Sequence, residues 1–173
     1  MKNLEKEPEE SLKKKIYEES FPVVIGGLSA TELLEELVSK HMQVSQNTRN
    51  LMLLPVFQPQ VKQETIRVAR LTSEDLGLTY PTTEQLYGRI QSVSYLSLCP
   101  QDTGPFARRQ DTKQPLKTWY YIATKPILDQ HNSPNIFKLL SNGGGLWLDN
   151  VSARPDDLWF PGSEFVVRVD KQF

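Results

Sequence analysis

The chain is short of the residues on which most protein chemistry relies. It has a single cysteine, Cys99, and two histidines, His41 and His131, far apart in sequence. One thiol cannot build an internal disulfide framework, and two separated imidazoles give no zinc spacing, so neither a metal nor a cofactor is implied. No run of about eighteen apolar residues is present to span a bilayer as a helix, and no basic segment followed by an apolar core marks a secretory leader. Cations do not outnumber anions: 20 Lys and Arg stand against 21 Asp and Glu, for a formal net charge of -1 and a pI near 6.1. That balance excludes a general electrostatic grip on nucleic acid or on an anionic membrane. The expectation from these absences is a soluble, cytoplasmic chain that folds on its own apolar core, for which 173 residues are enough.

What is present is punctuation and patterning. Residues 1–20 alternate acid and base with little to bury, and pairs such as Glu9 with Lys13 support a helix only by about 0.2 to 0.5 kcal/mol each, so a charged leader, frayed or disordered, is expected there. A short apolar stretch, Phe21 to Gly27, opens the single domain expected over residues 21–173. Ser29 and Glu32 then have capping-box spacing, and Leu33, Leu34, Leu37 and Val38 fall on one stripe of the helix that follows. Ser45 caps a second helix from Asn47 to Leu54, stopped at Pro55. After a Pro- and Gln-rich connector, Thr65 to Leu71 alternates as a strand, a capped turn closes on Gly77, and Thr82 with Gln85 starts a third helix striped by Leu86, Ile90 and Val93.

The region from Leu98 to Val169 holds all three tryptophans and most of the remaining strand signals. Strands are expected at Leu96 to Leu98, Trp119 to Ala123, Ile136 to Leu140, Leu146 to Leu148 and Phe165 to Val169, with a glycine hairpin at Gly143 to Gly145. Their closeness in sequence favours antiparallel pairing, because parallel neighbours need long crossovers. The fold class expected is therefore α+β: N-terminal helices and a central helix packed on a mostly antiparallel sheet of about five to six strands.

No catalytic spacing is met. A phosphatase loop beginning at Cys99 would require arginine at position 105, which is Pro105, so Cys99 reads as a small buried residue or at most a ligand contact. The glycine triplet lacks the Lys and Ser/Thr of a phosphate loop, and neither histidine sits beside a nucleophile elbow. Trp119, Trp147 and Trp159, with Asp149 and Asp157 nearby, form a mixture that suits stacking on a sugar ring or base while carboxylates accept its hydrogen bonds; the plain alternative places the tryptophans in the sheet core. Arg108 and Arg109 suit either an anion contact or an ordinary surface pair.

A wider pattern also stands out. Asp75-Leu76-Gly77, Leu98-Cys99-Pro100, Gly104-Pro105, Arg108, Gln114-Pro115, Trp119, Gly145-Leu146-Trp147-Leu148, Pro155-Asp156, Trp159 and Phe165-Val166 occur in an order and spacing that resembles a family of short uncharacterised bacterial proteins. The likeness covers Ile25 to Val169. It implies one domain of one type, and it implies no activity, cofactor or site residue. Ser94-Tyr95 replaces a Leu-Gly pair of that pattern, and Asp111 replaces an aromatic residue.

The function these residues favour is a non-enzymatic binding or interaction module, taking a protein partner or a small ligand through Cys99, Arg108, Arg109, Trp119, Trp147, Asp149, Asp157 and Trp159. Two other readings stand beside it: a small enzyme acting on a sugar or nucleotide through Asp149, Asp157 and Arg108, and a nucleic-acid binder using the first two capped helices as a helix-turn-helix, where Arg49 is the sole cation of the second.

Overall fold

The computed structural model describes residues 6–170. In chain order the elements are α1 (Lys6–Glu19), β1 (Phe21–Ile25), α2 (Ala30–Ser39), β2 (Gln43–Val44), α3 (Gln46–Met52), β3 (Glu64–Thr72), α4 (Thr83–Ser92), β4 (Leu96–Ser97), α5 (Thr103–Gln110), β5 (Thr118–Ile122), β6 (Ile127–Leu128), β7 (Pro134–Asn142), β8 (Gly145–Ser152) and β9 (Glu164–Val169). The α+β class holds. The sheet is larger than expected and mixed: the strand order is β1-β3-β9-β5-β7-β8-β2, with β4 added on β9 and β6 on β7. Two of its pairings, β5 with β9 and β2 with β8, are parallel.

The physical reasons for the difference are local. β2 and β6 have two residues each, too few to show a period. β1 carries Pro22, which is tolerated because β1 is an edge strand and needs hydrogen bonds on one side only. The chain leaves β8, wraps through residues 153–163 and returns as β9 between β3 and β5, and that long return supplies the crossover a parallel neighbour requires.

Most other local signals form as expected, although Val38, read on the apolar stripe of α2, is 53% exposed while Leu33, Leu34 and Leu37 are buried. Ser29 with Glu32 and Thr82 with Gln85 both form complete capping boxes. The hairpin between β7 and β8 pairs Asn142 with Gly145 across Gly143 and Gly144, and Gly145 takes φ +117°. Residues 103–110, where the sequence signals no element, form helix α5, with Pro105 inside its first turn, where a missing N–H costs nothing. Gly104 lies so close to β7 that a methyl group there would sit 2.5 Å from Phe137 Cβ, so α5 presses its backbone directly onto the sheet.

Strand alternation sends side chains to two cores, one on each face. On the first face Ile66, Val68, Tyr120, Ile122, Phe137, Leu139, Leu148 and Val166 pack under α2, α3 and α5. On the second, Ala69, Leu71, Ala123, Ile136, Phe165, Val167 and Val169 pack under α1 and α4. The charged leader belongs to this second layer: Leu12 and Ile16 of α1 are buried there, two apolar residues one helical turn apart that a count of charges overlooks. The helix-turn-helix reading fails on geometry, because β2 intervenes between α2 and α3 and pairs with β8, while both helices turn their apolar sides into the first core.

Candidate functional site

The second face of the sheet is covered unequally. α1 packs on β3 and α4 on β4, so β3, β9 and β4 are roofed. On β7 and β8 the roofed core reaches Ile136 and Val151 and stops. Beyond that line the register places Trp119, Leu140 and Trp147 directly across one another on β5, β7 and β8, and behind them Tyr121, Lys138 and Asp149. Residues paired across adjacent strands point to the same side, and their neighbours Tyr120, Leu139 and Leu148 fill the first core, so both rows lie on the second face, open except where Tyr121 packs against the border of the roofed core.

This strip is the candidate site. Trp119 is 52% exposed, Leu140 and Trp147 are half-buried, and Phe160, on the loop before β9, is 71% exposed. A recess of about 390 Å³ lies between Lys117 to Trp119 and Tyr121 on one side and Phe160 to Glu164 on the other. Lys138 reaches across the strip, its Nζ 5.4 Å from the centre of the Trp119 ring and 5.9 Å from that of Tyr121. The Trp147 indole N–H donates to Asn142 Oδ1 at 3.0 Å, which fixes that ring, and the same oxygen accepts the Gly144 N–H. At the far edge Asp149 accepts from Ser45 Oγ at 2.8 Å and from the Asn150 N–H, tying the strip to the cap of α3. The face bears Lys117, Lys138 and Asp149, while Glu164 at its border points to the first face and pairs with Arg70.

The other residues singled out from sequence fall elsewhere. Trp159 is a core residue, 6% exposed, with its N–H donated to Thr83 Oγ1 at 2.9 Å and its ring edge-on to Tyr121 and Phe165. Cys99 is buried, its Sγ 3.6 Å from the Val166 carbonyl, and burial raises its thiol pKa far above the ordinary range, which removes it as a nucleophile. Asp157 caps a turn, accepting from Ser152 Oγ at 2.6 Å and from the Arg154 N–H. Arg109 pairs with Glu36 of α2.

Arg108 is fully enclosed on the first face, where it donates to Gln114 Oε1 at 2.6 Å and to the Asp111 carbonyl, and burial lowers its pKa against the opposing fields of Tyr120 and Asp111. It forms no ion pair among the described residues. α5, which carries Arg108 and Arg109, packs on the first face, where Arg108 also donates to the Trp147 carbonyl at 3.4 Å, while Trp159 lies on the second face. No contact joins Arg108, Asp149 and Asp157, and each already has other partners.

A rival recess, about 320 Å³, opens on the first face between β1 and α5. Arg70 lies over the Tyr120 ring at 3.9 Å, Tyr120 donates to Asp111 at 2.8 Å, and Gln110 bonds both the N–H and the carbonyl of Val24. Its polar groups largely answer one another, and Gln110 occupies the free edge of β1 as a neighbouring strand would. The open strip differs in presenting apolar rings to solvent.

Tyr121, Lys138 and Phe160 were not foreseen as site residues. Lys138 interrupts the apolar run from Ile136 to Leu140, which was the available signal; its neighbours follow only from the register. Among the described residues no group of three or more His, Cys, Asp or Glu side chains is placed to hold a metal ion, and no helix is long and apolar enough to cross a membrane. No protein-family model matches the chain, and no curated protein or solved structure matches it.

Proposed function

We propose that the chain is a non-enzymatic binding module whose ligand lies on the open strip and stacks on Trp119. The observation that carries this reading is the exposure of Trp119 beside Tyr121, Lys138 and Phe160 on a rigid sheet. A sheet interior holds side chains in fixed directions, so little order has to be imposed when a ring settles on them. An indole face exposed on such a surface gives up water readily to an apolar ring face, while Lys117, Lys138 and Ser163 supply hydrogen bonds around it. The enzyme alternative lacks a convergent set: Asp149, Asp157 and Arg108 have separate partners on separate elements. The resemblance to short bacterial proteins implies no activity, so this reading rests on geometry.

The chain has three tryptophans, which give three indole N–H signals in a nitrogen-15 correlation spectrum. Titration with soluble ring-bearing probes, a glucose oligosaccharide and a thymidine oligonucleotide among them, should move the Trp119 signal and leave that of Trp159 in place. A Trp119 signal unmoved by every probe would remove the proposal.

A further inference from the structure

We infer that the ligand of this face is an extended, uncharged oligosaccharide that lies across the strands and contacts Trp119 and Trp147 together. The inference rests on the binding reading above and names its ligand. Trp119 and Trp147 stand two strands apart with Leu140 directly between them. Neighbouring strands are spaced at about 4.8 Å, so the two tryptophan backbones are about 10 Å apart. That is about the length of a two-ring repeat in an extended β-linked glycan. A pyranose on one indole therefore places the next-but-one pyranose on the other, with Leu140 under the ring between.

Charge separates this ligand from a nucleic acid. A single strand brings one phosphate per base, and proteins that stack its bases track the backbone with a basic groove. Here Lys117 and Lys138 are two isolated cations, with Asp149 at the far edge and Glu164 turned to the other face toward Arg70, and two lysines do not make a basic groove that tracks a run of phosphates. The interleaving of rings with polar groups separates it from a protein partner, whose buried contact centre is depleted in charge. Trp119, Tyr121, Trp147 and Phe160 alternate with Lys138, Asn142 and Ser163, which suits a ring with an apolar face and a rim of hydroxyls. The recess of about 390 Å³ beside Phe160 lies at the Trp119 end of the strip, where a terminal ring would rest, and Asn142 holds the Trp147 indole in place for the other contact.

The test uses the full chain labelled with nitrogen-15, with cellopentaose as the extended probe, maltopentaose as a coiled chain of the same composition, cellobiose as the short one and a ten-residue oligothymidylate as the charged one. Cellopentaose should move the Trp119 and Trp147 indole signals with one shared affinity and leave Trp159 unmoved, and cellobiose should bind at least about tenfold more weakly. Trp119→Ala and Trp147→Ala should each weaken cellopentaose binding about tenfold, the scale of one aromatic contact, and Trp119→Phe should recover part of the loss. A response of Trp119 without Trp147, or equal binding of maltopentaose, would overturn the bridging geometry. A response to oligothymidylate alone would overturn the glycan assignment and keep a ring-binding face. If both signals moved only with protein concentration, the face would belong to a second copy and the glycan would be overturned. Silence toward every probe would overturn this inference and the binding reading together.

Discussion

Trp159 and Trp119 lie on the same face of one sheet, linked through Tyr121, and they have opposite fates. Trp159 sits under the α1 and α4 layer, packed edge-on against Tyr121 and Phe165 with its N–H satisfied by Thr83. Trp119, on the next stretch of the face, has half its surface in solvent. The residue type and the strand alternation are the same in both regions. What differs is where the helices end, and the lesson is that an exposed ring on this sheet is a strip left uncovered rather than a defect of packing. Apolar surface left in contiguous patches on a folded domain marks places where something else packs.

The largest expected effect lies on the roofed side. Trp159→Ala should cost about 3 to 5 kcal/mol, because it empties a volume enclosed by Tyr121, Phe165 and α4, read as a fall in the urea midpoint with an unchanged slope. Trp119→Ala, measured the same way, should change stability by less than about 0.5 kcal/mol. Equal losses would erase the distinction between the two regions.

Ile16→Ala should come next, at about 2 kcal/mol, since Ile16 is wholly buried between α1 and the roofed core. Hydrogen exchange should then show faster opening in α1 and in β3 beneath it, with the Trp119 indole unaffected. A response at Trp119 as strong as in β3 would mean the two halves of the face are one cooperative patch.

A smaller effect follows from pH. Burial pushes the Asp75 carboxyl upward, but hydrogen bonds from Lys15 and from the Thr72 backbone and hydroxyl outweigh it and hold its pKa below the usual carboxylate range. A lowered carboxyl pKa contributes stability above its unfolded value and loses it as pH falls through the folded one. The hold of α1 through Lys15 should therefore weaken below the ordinary aspartate range, at pH values under about 4. Asp75→Asn should remove that part of the acid dependence, seen as a flatter profile of α1 protection against pH. An unchanged profile in the variant would exclude Asp75 as the group responsible. The Trp119 fluorescence should not follow this titration.

Much of the frame was legible without coordinates because its signals are local. A capping box needs two side chains three residues apart, and both predicted boxes form. The Asn142 to Gly145 hairpin and the alternation in β5 and β7 depend on neighbours in sequence as well. α5 was missed because Gly104-Pro105 is read as a chain breaker, while in place the glycine allows contact with Phe137 and the proline occupies a first-turn position. The role of α1 was missed because two buried residues in a strongly charged segment give almost no periodic signal.

The candidate site was legible only in its ingredients. Trp119, Trp147 and Asp149 could be named from composition, and so could Trp159, Asp157, Arg108, Arg109 and Cys99, which belong elsewhere. By itself the sequence determined the capped starts of α2, α3 and α4, the hairpin of β7 and β8 and which strand residues share a face, because each depends on distances of two to four residues along the chain. The tertiary structure alone decided that β9 enters between β3 and β5, that Trp119 is registered opposite Leu140 and Trp147, and that the helical roof stops short of them. Those are pairings between segments far apart in the chain, set by which apolar surfaces bury one another when the whole sheet closes.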